Sequence, residues 1–304
     1  MDRQKAPVLK RGNRLGFLIF RTAARAFGLR GAYGLLYFVC LYYLAFDRAA
    51  YATTMAYVTR RFRDHGPLRR VWDVYQVLIS QGRILIDRFA LISGGASFQV
   101  DLAGGEALKK HLQDSDKGLI LLTAHVGSWQ VAMSSLERFD RTVHLLMRPE
   151  DNAAVRATLN IDQDRGRVRI ISSEDGLAGV MESLAAVNKG DIVSIMGDRA
   201  YGYRTAEAMF LGEPVRFPIG AFTIAAAAKC PIVVLLSAKV ATTAYRVDVS
   251  RIIEPPAGSG KAKQAAVARC AQEFAAVLEE HVARHPYQWF VFADIWSRDE
   301  EQHT

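Results

Sequence analysis

Residues 118–130, GLILLTAHVGSWQ, decide the fold class of this chain. The first seven of them, 118–124, form an apolar run of strand length, and the polar residues that follow are typical of a turn that leads into a helix. An apolar run without alternation predicts a strand buried on both faces, as in a parallel sheet. The stretch therefore predicts a strand, a turn that carries His125, and a helix over 128–138.

Similar apolar runs recur along the rest of the chain, with helical stretches between several of them. Buried strands that alternate with helices predict an α/β fold with a mostly parallel central sheet flanked by helices. We assign this α/β domain to residues 96–304 and an N-terminal helical segment to residues 1–95, and we expect the two to form one structural unit. The further predicted strands are 142–147, 168–172, 191–196, 232–237 and 245–249, and the further predicted helices are 151–160, 175–188, 217–229 and 261–284.

The N-terminal segment carries its apolar residues in runs bounded by arginines. Its most apolar run, GAYGLLYFVCLYYLAF at 31–46, is shorter than the roughly 20 residues that span a bilayer. Aromatic side chains and flanking arginines favour a helix that lies at the headgroup boundary. A buried helix of a soluble core and a tilted transmembrane anchor are the alternatives. We predict a membrane-associating segment without a secretory signal, followed by an amphipathic helix over 72–92.

The chain is basic, with 39 Lys and Arg against 31 Asp and Glu in 304 residues and a formal net charge of +8. This excess favours anionic partners such as phospholipid headgroups, acidic carrier proteins or nucleic acid. Arginines and aromatic residues alternate in 55–72, which suits a solvated helix face or a patch that meets anionic lipid. Because no nucleic-acid-binding module is recognisable, we expect no nucleic-acid partner.

The three cysteines, Cys40, Cys230 and Cys270, are far apart in the sequence. They cannot all pair, and their spacing does not resemble that of metal ligands. We therefore expect a reducing compartment, packing roles for the thiols and no metal site.

Two polar clusters directly follow predicted strands. AHVGSWQ (124–130) comes after the strand at 118–124, and MGDR (196–199) comes after the strand at 191–196. Because ligands gather at the carboxyl ends of parallel strands, His125 and Asp198 are expected at the same edge of the sheet. A neutral imidazole, with an ordinary pKa near ~6.5, can accept a proton at neutral pH. From position alone, a polar residue without a catalytic role is the more economical interpretation of His125.

The residues around His125 add a family resemblance. AHVGSWQVA (124–132) resembles the His-x-Gly-Asn-Trp-Glu block of the lipid A late acyltransferases, within the lysophospholipid acyltransferase superfamily. Four further blocks follow in the family's order, so that the resemblance spans roughly residues 124–296. They are LMRPEDN (146–152), MGDRAYG (196–202), FLGEPVRFPIGAFTIAAAAKCPIVV (210–234) and the closing HPYQWFVFADIW (285–296).

The resemblance implies transfer of an acyl chain from an acyl thioester, of acyl carrier protein or coenzyme A, to a hydroxyl or amine of a lipid or glycolipid. It also implies action at the cytoplasmic face of the bacterial inner membrane, with no metal or bound cofactor. Carried over to this sequence, His125 is the general base and Asp198 an acidic partner. Substrate contacts are expected from Arg148, Arg199, Gly127, Ser128 and Trp129, with Arg148 and amides near Gly127 facing the oxyanion, and an acyl-chain pocket from Phe210, Leu211, Phe217 and Phe222.

The sequence departs from the family block at two positions. Gln130 stands where the family has an acidic residue, and Ser128 stands where it has asparagine. Gln130 could still orient the imidazole through its carbonyl oxygen, but the charge must then come from Asp198, or activity has been lost. We favour Asp198. No G-x-S-x-G elbow is present, so direct transfer without an acyl-enzyme is expected. A non-catalytic membrane scaffold and a thioester hydrolase are the alternatives.

Overall fold

The computed structural model describes residues 14–92, 94–147, 168–200 and 203–297. Two predictions lie outside these ranges, namely the helix at 151–160 and the substrate contact from Arg148. Within them the chain forms eight α-helices and nine β-strands. The helices are α1 (Arg14–Phe46), α2 (Arg48–Arg61), α3 (Pro67–Ile92), α4 (Gly105–Asp114), α5 (Trp129–Leu136), α6 (Leu177–Asn188), α7 (Gly220–Ala228) and α8 (Gly260–Arg284). The strands are β1 (Gln99–Ala103), β2 (Leu119–Thr123), β3 (Val143–Met147), β4 (Val168–Ser172), β5 (Ile192–Met196), β6 (Thr205–Phe210), β7 (Glu213–Pro218), β8 (Ile232–Ala241) and β9 (Ala244–Ile253).

The central sheet has seven strands in the order β1-β9-β8-β2-β5-β3-β4. The five strands from β8 to β4 are parallel to one another. β9 is antiparallel to β8, and β1 pairs in parallel with β9. The remaining two strands, β6 and β7, form a separate antiparallel hairpin. The predicted α/β fold with a mostly parallel central sheet is confirmed.

Side chains from both faces of β2 are buried in hydrophobic clusters. Ile120 and Leu122 belong to the larger cluster, which includes residues of α6, α7 and α8. Leu119 and Leu121 point to the opposite face, into a cluster with residues of α4 and α5. All four are fully buried, so helices cover the sheet on both sides, as the unbroken apolar run predicts.

Helix α1 packs one face on α3 and exposes the other. Leu36 and Cys40 are buried, while Phe38 is 73% exposed and Phe46 is 71% exposed. By length and apolar composition, residues 27–46 could cross a membrane. Large exposed apolar side chains on one face indicate a surface that meets an apolar partner, which is consistent with the predicted membrane association. The backbone leaves helical geometry at Gly28, where φ is 66°.

Arginines at the end of α2 and directly after it bond to other parts of the fold. Arg61 donates to the carbonyl oxygens of Val282 and Ala283 at the end of α8. Arg63 donates to the carbonyl of Leu211 in the turn of the β6–β7 hairpin. The arginine-rich stretch therefore fastens the N-terminal helices to the α/β domain.

A buried carboxylate makes a second connection between the two parts. Asp87 of α3 is fully buried and accepts hydrogen bonds from Tyr33 of α1, Lys239 of β8 and Tyr245 of β9. Burying a carboxylate is unfavourable unless it is paired and hydrogen-bonded, and these three donors meet that requirement. Helices α1 and α3 are thus joined to the neighbouring strands β8 and β9 of the central sheet through one side chain.

Candidate active site

His125 lies in the loop between β2 and α5, and its imidazole pairs with Asp198. The Nδ1 atom is 2.7 Å from Asp198 Oδ1, and the His125 backbone N–H donates to Asp198 Oδ2 at 2.8 Å. A carboxylate can only accept, so Nδ1 carries the proton and Nε2 is the nitrogen of the neutral ring that can accept one. The His125 side chain is 24% exposed, whereas that of Asp198 is completely buried.

Asp198 reaches this position because β5 lies next to β2 in parallel. The strands stay together just past their ends, where Gly197 N–H donates to the carbonyl of Thr123 at 2.8 Å. Asp198 accepts a further hydrogen bond from Trp289 Nε1 at 2.8 Å. Burial alone would raise the pKa of this carboxyl, but His125 and the donated hydrogen bonds outweigh burial and lower it. The carboxylate is therefore the stabilised form.

The segment around Trp289 forms the third side of the site. Val126 and Trp289 pair as an isolated antiparallel bridge, and the N–H of Phe290 donates to the carbonyl of His125 at 2.7 Å. This segment belongs to the closing block of the resemblance, residues 285–296, but the sequence predicted no role for Trp289. The role of Trp289 follows only from contacts between residues that are far apart in the sequence.

Gly127 and Ser128 position the loop and begin α5. Gly127 has φ +52°, and a Cβ there would come within 2.2 Å of the Ser237 carbonyl oxygen, so only glycine fits this approach to β8. The Ser128 side chain caps α5 by accepting from the Val131 N–H. The N–H of Gly127 donates to the Gln288 carbonyl and that of Ser128 to Ser237 Oγ. Both amides are engaged within the protein, which leaves the expected oxyanion contact near Gly127 without support.

Gln130 and Trp129 lie in the first turn of α5 and point toward helix α3. With its amide oriented to satisfy both donors, the Gln130 oxygen accepts from Trp129 Nε1 at 3.0 Å and from Arg88 Nε at 2.7 Å. The Arg88 guanidinium lies 5.9 Å from the centre of the Trp129 ring. The structure thus places Gln130 with Arg88 rather than with the imidazole, and Asp198 occupies the position at Nδ1 that Gln130 was considered for.

The four residues expected to line an acyl-chain pocket are packed in different places. Phe210 and Phe217 lie on the β6–β7 hairpin, and both are fully buried. The Phe210 ring stacks on Trp296 at 5.9 Å and meets the edge of Trp289 at 5.3 Å. Phe222 is buried within the core on α7. Leu211 has φ +51° in the hairpin turn. The three phenylalanines are thus packed in the core and Leu211 lies in a turn, and their contact with an acyl chain stays a prediction.

The structure describes one of the two arginines that are expected to bind substrate. Arg199 directly follows Asp198, and its Nη1 donates to the Val291 carbonyl at 3.4 Å. Arg148 lies outside the described residues, so its contact with a phosphate or an oxyanion stays a prediction. The absence of a bound cofactor likewise stays a prediction.

The structure shows where the cysteines and the groups that could ligate a metal ion lie in the described part of the chain. Cys40, Cys230 and Cys270 are free and buried, in keeping with the expected packing roles. Within the described ranges, three or more His, Cys, Asp or Glu side chains do not come together in a way that could hold a metal ion.

Another His–Asp pair provides a useful contrast. His144 Nε2 lies 3.0 Å from Asp191 Oδ2. His144 is the second residue of β3 and Asp191 directly precedes β5, so this pair lies at the amino ends of the parallel strands. His125 and Asp198 lie at their carboxyl ends, where α/β sheets bind ligands.

Comparison with known proteins identifies the family to which the chain belongs. A family model described as bacterial lipid A biosynthesis acyltransferase matches residues 95–298. The chain therefore belongs to this family and is an acyltransferase. The match contains His125, Asp198 and Trp289 and excludes helices α1, α2 and α3. Comparison with curated proteins gives no match.

Proposed function

We propose that the protein transfers a fatty acyl group from an acyl thioester, of acyl carrier protein or coenzyme A, to a hydroxyl or amine of a lipid or glycolipid. The observation that carries this proposal is the 2.7 Å contact between His125 Nδ1 and Asp198 Oδ1. It combines an accessible imidazole with a buried carboxylate at the ligand-binding edge of the sheet. The family supplies the general acyltransferase chemistry.

The proposed reaction is direct transfer without an acyl-enzyme. The acceptor O–H or N–H donates its proton to His125 Nε2 as its oxygen or nitrogen attacks the thioester carbonyl carbon. Asp198 holds Nδ1–H and stabilises the imidazolium that forms. The carbon–sulfur bond breaks as the tetrahedral intermediate collapses, and the thiolate that leaves takes the proton from the imidazolium. General acid–base catalysis of this kind contributes about 10²–10⁴-fold.

Asp198, rather than Gln130, supplies the negative charge in this proposal. Gln130 contacts Arg88 and Trp129, so its effect on the imidazole is indirect. The backbone N–H groups of Gly127 and Ser128 are not assigned to the oxyanion, because both donate to groups within the protein. The contact with the oxyanion is proposed for Arg148 on the basis of the resemblance. The site is proposed to act at the cytoplasmic face of the inner membrane.

The test is transfer of labelled acyl groups from acyl carrier protein or from coenzyme A to lipids in mixed vesicles. We expect His125→Ala and Asp198→Asn each to lower the rate by about 10²–10⁴-fold. Gln130→Ala should retain most of the rate, because it leaves the His125–Asp198 contact in place. The matched controls are His144→Ala and Asp191→Asn, which disrupt a His–Asp pair at the opposite edge of the sheet and should leave the rate nearly unchanged.

Three other results would contradict the proposal. Labelled free fatty acid formed without dependence on an acceptor would indicate a thioester hydrolase. Vesicle binding without any labelled product would indicate a non-catalytic scaffold. Equal losses from the two His–Asp pairs would show that the substitutions act through folding and not through the chemistry of His125.

A further inference from the structure

Gln288 lies between the loop from β2 to α5, which carries His125 and is called the catalytic loop in this proposal, and the part of β8 that extends beyond its pairing with β2. The pairing of β2 with β8 ends at Thr123 and Leu235, whereas β8 continues to Ala241. Beyond the end of β2, the Gln288 side chain makes hydrogen bonds to the β8 main chain of the kind that a neighbouring strand would make. Its Oε1 accepts from the Lys239 N–H at 2.7 Å, and its Nε2 donates to the Lys239 carbonyl at 2.9 Å.

The main chain of Gln288 and its neighbours holds the residues of the site. Its own carbonyl accepts from the Gly127 N–H at 3.2 Å. The next residue, Trp289, donates to Asp198, and Phe290 N–H donates to the His125 carbonyl. Three consecutive residues therefore fix the loop and both members of the His–Asp pair, and the Gln288 side chain fixes these three residues to β8.

Lys239 is itself fixed by a residue of the N-terminal helices. Its ammonium group pairs with Asp87 of α3 and donates to the carbonyl of Thr242 at 2.7 Å. Asp87 lies outside residues 95–298, which match the family model. A continuous set of contacts thus runs from α3 through Lys239 and Gln288 to the loop that carries His125.

We propose that Gln288 is a positioning residue for acyl transfer, which sets the distance between the catalytic loop and β8 and is braced by Asp87 through Lys239. The proposal rests on the proposed function. Misplacement of reacting groups by about 1 Å can cost on the order of 10²-fold in rate. Loss of the two Lys239 contacts should therefore lower kcat and leave the KM for the acyl thioester nearly unchanged, since Gln288 need not touch the substrate.

The test compares Gln288→Met with Gln272→Met. Gln272 is a matched control because it makes the same two kinds of hydrogen bond, accepting from the Met209 N–H at 2.8 Å and donating to the Met209 carbonyl at 3.1 Å. It does so on α8 and β6, and it contacts neither the loop nor Asp198. We expect Gln288→Met to lower kcat by about 10–100-fold, with less than about threefold change in KM. Gln272→Met should keep the wild-type kcat.

A second readout needs no substrate. Solvent exchange of the Trp289 indole N–H, followed by NMR, should be faster in Gln288→Met and unchanged in Gln272→Met. If Gln288→Met does not fold, Gln288→Glu, which keeps the acceptor for the Lys239 N–H, should give an intermediate kcat. Equal kcat and equal indole exchange in the two methionine variants, or wild-type kcat in Gln288→Glu, would overturn the proposal. A wild-type protein that transfers no acyl group would instead overturn the proposed function, while indole exchange would still decide the role of Gln288.

Discussion

Asp198 combines complete burial with a lowered pKa, and the donors around it explain how. Two of its hydrogen bonds come from the backbone and ring of His125, and the third comes from the indole of Trp289. Hydrogen bonds to the charged form of a carboxyl group favour that form. The lowered pKa means that the carboxylate persists near neutral pH, where the proposed role of His125 as general base requires it.

The Trp289 indole offers a direct test of this arrangement. Trp289→Phe keeps an aromatic ring in the cluster but removes the donor to Asp198. Hydrogen bonds to charged groups contribute about 1.5–3 kcal/mol, and we expect a loss of unfolding free energy in that range together with a lower kcat. The measurements are urea unfolding and acyl transfer.

The control for this prediction is Trp296→Phe. Trp296 packs 6.0 Å from the Trp289 ring, and its buried Nε1 has no hydrogen-bond partner among the described residues. The substitution should therefore cost less than Trp289→Phe, since it removes ring area but no hydrogen bond. Equal losses of stability and activity would mean that the Trp289 N–H contributes little to Asp198.

His281 predicts an acid-sensitive contribution to stability. Burial, followed by the nearby His285 and Arg284, lowers its pKa from 6.5 to about 3. Below pH 6.5 the unfolded chain binds a proton that the folded chain does not, so stability falls with decreasing pH, by up to about 1.4 kcal/mol per pH unit. We expect wild type to lose more unfolding free energy between pH 7 and pH 5 than His281→Leu. If wild type and His281→Leu lose equal unfolding free energy as the pH falls, the loss comes from other titrating groups.

At the scale of elements, the sequence predicted the strands that are buried on both faces. The runs at 118–124, 142–147 and 191–196 correspond to β2, β3 and β5 within two residues. The edge strand β4 was predicted at 168–172, but other edge and hairpin strands escaped the same reasoning, because they are only partly buried and carry polar residues. β1, with the sequence QVDLA, is one example, and the β6–β7 hairpin is another.

The start of α7 and the facing ends of β8 and β9 differ from the prediction for local reasons. The helix expected from residue 217 begins at Gly220, because Phe217 and Pro218 end β7 and pair with β6. The strands expected at 232–237 and 245–249 extend toward each other until only residues 242 and 243 separate them. A connection of two residues joins antiparallel strands, which explains why β9 runs against β8.

The candidate site was predictable only in part. The meeting of His125 and Asp198 followed from two parallel strands and the residues just after them, and the structure confirms their proximity. The contacts of Gln288 and Trp289 could not follow from local patterns, because Gln288 bonds to Lys239, 49 residues away, and Trp289 bonds to Asp198, 91 residues away. The position of Gln130 depended on Arg88, whose side chain comes from a helix outside the α/β domain.

The close contact between the loop that carries His125 and β8 can be tested by adding a methyl group at Gly127. Gly127→Ala would combine a positive φ, which costs about 1–2 kcal/mol for a non-glycine residue, with a collision against the Ser237 backbone. Overpacking typically adds about 1–3 kcal/mol, so a total loss of about 2–5 kcal/mol and a large loss of activity are expected. Urea unfolding and acyl transfer measure the two effects.

Gly260 is the control for the loop. Its φ is also +52°, but a Cβ there would meet open space, so Gly260→Ala should cost about 1–2 kcal/mol and leave activity intact. If the two variants behave alike, the tight contact between the loop and β8 has no influence on the site.

At the scale of the whole molecule, the N-terminal helices form part of the framework of the site. Asp87 joins α3 to α1, β8 and β9, and Arg88 of the same helix meets the first turn of α5 through Gln130. The α/β domain alone would leave Lys239 without its buried carboxylate. The helices α1 and α3, of which α1 exposes large apolar side chains, therefore also support the loop that carries His125.

The exposed face of α1 predicts how the molecule meets lipid. The double substitution Phe38→Ser and Phe46→Ser should weaken vesicle binding, since burial of each phenyl side chain contributes about 1.5–3 kcal/mol, or at least ~10-fold in affinity per residue. Leu177→Ser, at an exposed apolar residue of α6, is the control and should leave binding intact. Co-sedimentation with anionic vesicles at low and high salt measures the effect. Apolar contacts persist at high salt whereas surface electrostatics are screened, so a double variant that binds like wild type at high salt would show that this face of α1 does not enter the lipid surface.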